Sequence, residues 1–243
     1  MQQYNKILIF EIYGDYGHFK KPYTTTSPLT FSFPPKPSVA GIIGAIIGIE
    51  KNYLHSTFKD GEYEIGLKIV NPVSKTRIAT NLIDTKKSFF RIEVRNQIKF
   101  EVLKNPYYKI YFRANSDKSL ELMNSLYQNL SCRKPHYTVS LGLSQMLCNF
   151  KNPEIIDAVY ISEMKENIEM DTVIIKNENY ELEYLYNHKS PSEYYIIKMP
   201  HVMDDERIVS KFSEFYFEPN AKKLKCLKAK NFWKAGTENV VLF

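Results

Sequence analysis

A chain of 243 residues with 44% hydrophobic and 25% charged residues can build a sizeable core as one large or two modest domains, and global disorder is excluded. Lys and Arg outnumber Asp and Glu by 33 to 27, a net charge of +6, which suits a polyanionic partner without requiring one. Aromatic residues are abundant, with 18 Tyr and 15 Phe against one Trp, a bias shared by Tyr-rich sheets and base-stacking surfaces.

In chain order, residues 6–13 alternate, with Leu8, Phe10 and Ile12 on one face, and predict a buried strand. A loop from Gly14 to Lys21 and the turn Pro34-Pro35-Lys36-Pro37 follow, and Ser38 is a candidate N-cap for a helix to about Glu50. Within it Gly41, Gly44, Ala45 and Gly48 share one side. A bare face of this kind fits either close packing or approach of a ligand to the helix, and close packing is the commoner use. Residues 63–70 predict a strand ended by Asn71-Pro72. Between Val73 and Arg95 cations accumulate (Lys75, Arg77, Lys86, Lys87, Arg91, Arg95), and residues 95–103 alternate again. Asn105-Pro106 turns into a strand over 109–113, and Ser116-Asp117 opens a helix carrying Leu120, Met123, Leu126, Tyr127 and Leu130 at helical spacing. A closing strand is expected at 136–141.

This order predicts an α+β fold: a ferredoxin-like (RRM-like) domain over 1–150 with a β-hairpin insertion at about 73–104. Beyond Asn152-Pro153, a smaller antiparallel β region over 151–243 is expected, with strands at 171–176, 180–186, 194–199, 211–217 and 238–243.

Single-stranded nucleic acid is the ligand class these residues fit best. In the first loop, Phe19 can stack on a base and Lys20 and Lys21 can meet phosphates beside Tyr16 and His18. The alternative is a solvated loop with Phe19 in the core. At the start of the glycine helix, Ser38, free backbone amides and Lys36 can hold a phosphate. In the insertion, Lys75, Arg77, Arg91 and Arg95 form a cationic run, and Arg95 and Gln97 share a strand face that can present a guanidinium and an amide to unstacked bases. A run of exposed strand cations is also the ordinary signature of a solvated face.

Catalysis is the rival. Metal-free RNA cleavage needs a base, a proton donor and a cation near the phosphorane, and Tyr16, His18 and Lys20, or Lys134 with His136, are suitable in type. The acidic run Asp204-Asp205-Glu206 reads as a solvated loop rather than a metal site, and His55, His188 and His201 are isolated. Neither a phosphate-binding loop nor a dinucleotide fingerprint is present, so no cofactor is expected. Cys132, Cys148 and Cys226 lack metal or redox spacing, and the longest apolar run, 39–49, is too short to span a bilayer. With no leader-like segment at the start, a cytoplasmic protein without a membrane partner is expected.

Several blocks together resemble a known family. The opening strand, G-x-x-x-H-F-K-x-P-x-T from Gly14 and P-P-x-P-S-x-x-G-I-I-G-A-I-I-G from Pro34 look like the signature of the CRISPR-associated Cas-five family. Arg95-Asn96-Gln97-Ile98, Phe100-Glu101-Val102-Leu103, Asn105-Pro106 and Ile110-Tyr111-Phe112 look like the middle motif of its subtype I-B branch. The resemblance is strongest over 7–112 and thins after Asn152. It implies a modified RRM palm with a β-hairpin thumb. It further implies a non-catalytic subunit of a type I surveillance complex (Cascade) that grips the 5′ handle of the guide RNA and caps the backbone filament. Its partners would be the guide RNA and the complex's backbone and large subunits, with target DNA a further candidate. One branch, subtype I-C, cleaves guide RNA with Tyr, Lys and His, where Lys and His are adjacent; here Pro135 separates Lys134 from His136. A purely structural capping subunit is the remaining alternative.

Overall fold

Alternation places Leu8, Phe10 and Ile12 of the first strand, β1 (Lys6–Tyr13), in one core and Ile7 and Ile9 in another on the opposite face. The computed structural model describes residues 5–24, 27–83, 90, 95–183 and 193–243. After β1 come β2 (Tyr16–Gly17), α1 (Lys36–Ile47), α2 (Leu54–Thr57), β3 (Tyr63–Ile69), β4 (Ser74–Ile83), β5 (Arg95–Lys104), β6 (Tyr107–Ala114), α3 (Asp117–Ser131) and β7 (Asn149–Ile161). The remainder is all β: β8 (Lys165–Met170), β9 (Ile174–Ile175), β10 (Tyr180–Leu182), β11 (Tyr195–Met203), β12 (Val209–Phe217), β13 (Leu224–Ala229), β14 (Phe232–Ala235) and β15 (Glu238–Val240).

The central sheet runs β15-β14-β7-β1-β6-β3, with every pairing antiparallel. Helices α1 and α3 cover one face, where Ile43, Ile46, Met123, Leu126 and Leu130 meet Leu8, Phe10 and Ile12. The other face is partly closed by the chain's own C-terminal strands. Trp233 and Val240 join Ile7, Ile9 and Tyr111, the Arg113 guanidinium lies 4.3 Å from the Trp233 ring, and Phe243 exchanges backbone hydrogen bonds with Ile65. The architecture is therefore a mixed α/β fold of mostly antiparallel strands around a curled sheet.

Helix α1 starts earlier than Ser38 predicts. Pro35 is the N-cap, and Pro37 sits within the first turn, where a fixed φ suits the helix and a missing N–H costs nothing. The helix stops at Gly48, whose φ of 87° is the left-handed cap geometry that glycine adopts freely. Its glycine face is covered from within: a side chain at Gly44 would meet Leu54 of α2 at 2.5 Å. Helix α3 begins at the expected Ser116, whose hydroxyl accepts from the Ser119 amide in a capping box.

Residues 136–141 form no strand. His136 and Tyr137 donate their amides to the Ile46 and Ala45 carbonyls and cap the end of α1, while Val139 and Leu141 exchange backbone bonds with Cys148 and Met146 around a Ser140–Leu147 bridge. The strand beside β1 is β7, and it runs through Asn152-Pro153. There the β1 register shifts between Ile9 and Glu11, and Asn152 takes a φ of 53°. A β-bulge absorbs both a left-handed asparagine and a proline lacking a donor, which is why a turn signal sits inside a strand.

The C-terminal strands do not form one meander. They divide into β10-β13-β8, β11-β12-β9 and the β14–β15 pair that extends the central sheet. Among these and the earlier described elements, β2, α2, β8, β13, β14 and most of β7 have no sequence expectation. The expected strand over 180–186 is described only to Glu183, and the rest of it, with His188, lies outside the described residues.

Candidate nucleic-acid interface

Two cation-bearing regions flank the central strands. In the first, the segment after β1 is a paired ribbon rather than an open loop. Tyr16 and Gly17 pair with Lys104 and Leu103 along the outer edge of β5, and Lys20 bridges to Thr30. His18 donates from Nδ1 to the Glu101 carbonyl at 2.7 Å and from its amide to Leu141, while Glu101 donates its amide to the Pro28 carbonyl. His18 is accordingly only 2% exposed, its ring edge-on to Phe100, and its Nε2 has no partner among the described residues. Burial holds its pKa below the usual histidine value, against the opposing pull of the Glu101 carbonyl and carboxylate. Phe19, 3% exposed, belongs to the main core and offers no face to a base. Lys20 and Tyr16, the latter 40% exposed, remain on the surface.

At the start of α1, the expected phosphate site is filled by protein. Lys36 is 4% exposed, donates to Asp60 at 3.1 Å and lies 4.7 Å over the Tyr63 ring. His201 Nε2 approaches the same carboxylate at 3.9 Å. Desolvation lowers the Lys36 pKa and brings His201 down to about 4, which keeps His201 neutral. Desolvation pushes Asp60 upward, but Lys36 and its other cationic neighbours outweigh it and hold the carboxyl below its ordinary value. Ser38 lies inside the first turn, half-buried, and its amide donates to Pro35. The sequence could not separate a free cation from this buried one, because the partner Asp60 is 24 residues away.

The β4–β5 hairpin is the second region. Its register runs unbroken from Ser74 opposite Lys104 to Ile83 opposite Arg95. Residues directly opposite share a face, so Lys75, Arg77, Arg95, Gln97, Lys99 and Glu101 all project to one side. Lys75 is engaged at the base, donating to the Thr30 carbonyl at 3.0 Å and to Glu101 at 3.2 Å. Glu101 also accepts from the Thr30 amide, so the return segment and the hairpin are clamped together. Further out, Arg77, Lys99 and Arg95 are exposed and make no ion pair with a described carboxylate, and Gln97 reaches Asn81 only at 3.5 Å. The opposite side carries Ile78, Ile98, Phe100 and Val102. Arg91, Lys86 and Lys87 lie outside the described residues.

A third set of residues, unmarked by the sequence, follows from strand register. On the face away from the helices, Tyr13 stands opposite Tyr107, Glu11 opposite Lys109 and Lys151, and Lys68 opposite Lys109. Lys68 and Lys109 are tied to Glu238, with Lys68 also meeting Asp171. Tyr111 donates to the same Glu238 carboxylate at 2.7 Å. Burial alone would raise the Glu238 pKa, but these donors bring it to about 2. Toward the hairpin end the row opens: Tyr13 and Tyr107 lie 5.6 Å apart with Lys151 at 5.1 and 5.0 Å from their centroids. An alternation reading does place Tyr13 opposite Phe10 in facing, but which residue lies beside it depends on a pairing the sequence does not display.

Two of the three residues of the acidic run have structural partners. Asp205 accepts from the His55 and Ser56 amides at the start of α2, and Asp204 closes a turn onto the Ile208 amide. His136 packs against Tyr137. Among the described residues no cluster of three His, Cys, Asp or Glu is arranged to hold a metal ion, and no helix is long and apolar enough to cross a membrane.

No protein-family model and no curated protein matches the chain. Solved structures do. A CRISPR protein from Archaeoglobus fulgidus aligns over 97% of this chain and 98% of its own, at 16% identity and a TM-score of 0.53. A chain of a CRISPR RNA-guided surveillance complex aligns over 90% of this chain and 91% of its own, at 8% identity and a TM-score of 0.54. At these identities the likeness is one of fold: the chain has the fold of CRISPR-associated proteins, along almost its whole length.

Proposed function

We propose that the chain is an RNA-binding subunit of a CRISPR RNA-guided effector complex, of the Cas-five family and its subtype I-B branch. It holds the 5′ handle of the guide RNA and caps the backbone filament, beside the repeating and large subunits. The order β7-β1-β6-β3, with α1 after β1 and α3 after β6, supports a ferredoxin-like palm, and the β4–β5 hairpin between its second and third strands supports a thumb. The observation that carries the reading is the outer hairpin face, where Arg77, Arg95, Gln97 and Lys99 stand exposed above a base fixed by Lys75, Glu101 and Thr30. A strand pair whose cations on one side pair with no described carboxylate is suited to tracking a phosphate chain, and the Gln97 amide adds a base-edge contact. Tyr16 pairs with Lys104, and so lies on the other side of the hairpin from this row, while Lys20, bridged to Thr30, stays exposed beside the hairpin base.

The subunit positions RNA and does not cut it. Of the three groups suited to cleavage in the first loop, His18 is sealed in the core with its imidazole held to Glu101, out of reach of a 2′-hydroxyl. Incubation of the full chain with CRISPR repeat RNA in EDTA should leave the RNA intact, while the same RNA is retained in a low-salt filter-binding assay. A discrete cleavage product would replace this reading with a handle-processing nuclease. Binding that ignores both RNA and salt would replace it with a capping role through protein contacts alone.

A further inference from the structure

Resting on the RNA-binding reading above, we propose that Tyr13, Tyr107 and Lys151 form a second, separate contact: a stacking platform for one unpaired base of a single-stranded RNA. The two tyrosines come from the neighbouring strands β1 and β6 and stand directly opposite each other. They face away from α1 and α3, at the end of the sheet that β14 and β15 leave uncovered. Their rings are 5.6 Å apart and inclined at 48°, and the Lys151 ammonium sits 5.1 and 5.0 Å from the centroids.

The Tyr107 ring is held in place. The Tyr107 hydroxyl donates to Glu11, which also accepts from Asn152 Nδ2 at 3.0 Å and lies 3.8 Å from Lys151. A base stacking here therefore loses little to ordering of the protein side. Beside Tyr13 and Lys151 lies an open groove of about 490 Å³, whose wall includes Arg133, Asn149 and the apolar side chain of Leu147. That volume is in the range that holds a nucleotide. Two cations, an amide and aromatic faces are the chemistry that a base with its phosphate recognises, and it tolerates any sequence because every base has a π face.

Continuity with the hairpin favours RNA over another occupant. Tyr107 is joined to Lys104 at the base of β5 through Asn105 and Pro106, and Gly14 donates its amide to Pro106. A strand leaving the cationic hairpin face at its base meets this end of the sheet next.

The test is photo-cross-linking of the full chain to single-stranded RNAs carrying one 4-thiouridine at successive positions, with adducts mapped by peptide mass spectrometry. Adducts on the peptides of Tyr13 or Tyr107 are expected from one position, and adducts on residues 95–104 from others. Tyr107→Leu should remove the first set and weaken binding about tenfold while leaving the second set in place. Lys151→Ala, at a surface position that does not threaten folding, should weaken the first set several-fold. Adducts on the hairpin alone overturn this inference and leave the proposed function standing. Adducts on the tyrosine peptides alone sustain it and remove the hairpin from the proposed function, and adducts on neither overturn both.

Discussion

The start of α1 and the β4–β5 hairpin look alike as sequence, each a lysine- or arginine-bearing stretch next to aromatic residues, and the fold uses them in opposite ways. Lys36 is drawn inward, paired with Asp60, laid over Tyr63 and shut in with a neutral His201. Arg77, Lys99 and Arg95 are carried outward on strands whose inward side is occupied by Ile78, Ile98 and Phe100. A cation becomes available to an outside anion only where the fold supplies no inside one. Burial decides this, because an ammonium left unpaired in the interior costs several kcal/mol. The same contrast separates His18 from Tyr16, two residues apart on one ribbon with one sealed and one exposed.

The contrast breaks first if the buried side is not structural. Asp60→Ala should destabilise the chain by about 3 kcal/mol, because it leaves Lys36 buried with only an aromatic ring for company. Thermal or urea unfolding measures this, and RNA affinity of the folded fraction should be unchanged. His18→Ala should cost about 2 kcal/mol by removing a buried ring and its bond to Glu101, again without altering RNA binding.

Glu238→Gln should cost roughly 2 kcal/mol at neutral pH, since it accepts charge-assisted bonds from Lys68 and Lys109. Its pH signature sharpens the case. A carboxyl held at about 2 against an ordinary 4.5 contributes stability that is complete above 4.5 and is lost as pH falls through 2. The wild type should lose stability across that window, and the variant should show a flatter curve. His201 adds a separate acid effect: with its folded value near 4 against 6.5, the unfolded chain takes up the proton first, so stability declines as pH falls from 6.5 to 4. His201→Asn should remove that segment of the curve. The smallest stability effect belongs to the hairpin surface, where Arg77→Ala and Arg95→Ala should each stay within about 0.5 kcal/mol of the wild type.

Much of the first half of the chain is legible in the sequence. Residues 6–13, 63–70, 95–103 and 109–113 alternate strongly enough to mark β1, β3, β5 and β6, and Ser116 caps α3 as its residue type and position indicate. Signals that depend on a distant partner were not legible. Asn152-Pro153 reads as a turn because its bulge exists only in the pairing with β1. Residues 136–141 read as a strand, but the amides of 136 and 137 go to the end of a helix about 90 residues earlier in the chain, and only 139–141 make a local pairing, with 146–148. The site divides along the same line. Alternation placed Arg95 and Gln97 on one face, as the hairpin register has them. The loop chemistry around His18 and Phe19 gave no hint that Thr30, Glu101 and Leu141 would close over it. Nothing in the sequence marks Tyr13 or Tyr107, because neither is unusual until the two strands are laid side by side.

The most direct test of the division between outward and inward cations is the salt dependence of RNA binding by the full chain. Each phosphate contact removed should lower the log–log salt slope by about 0.7 for a single strand, so the pair Arg77→Ala with Arg95→Ala should lower it by about 1.4. A slope unchanged in that double variant, or one lowered equally by Asp60→Ala in the folded protein, would contradict the account.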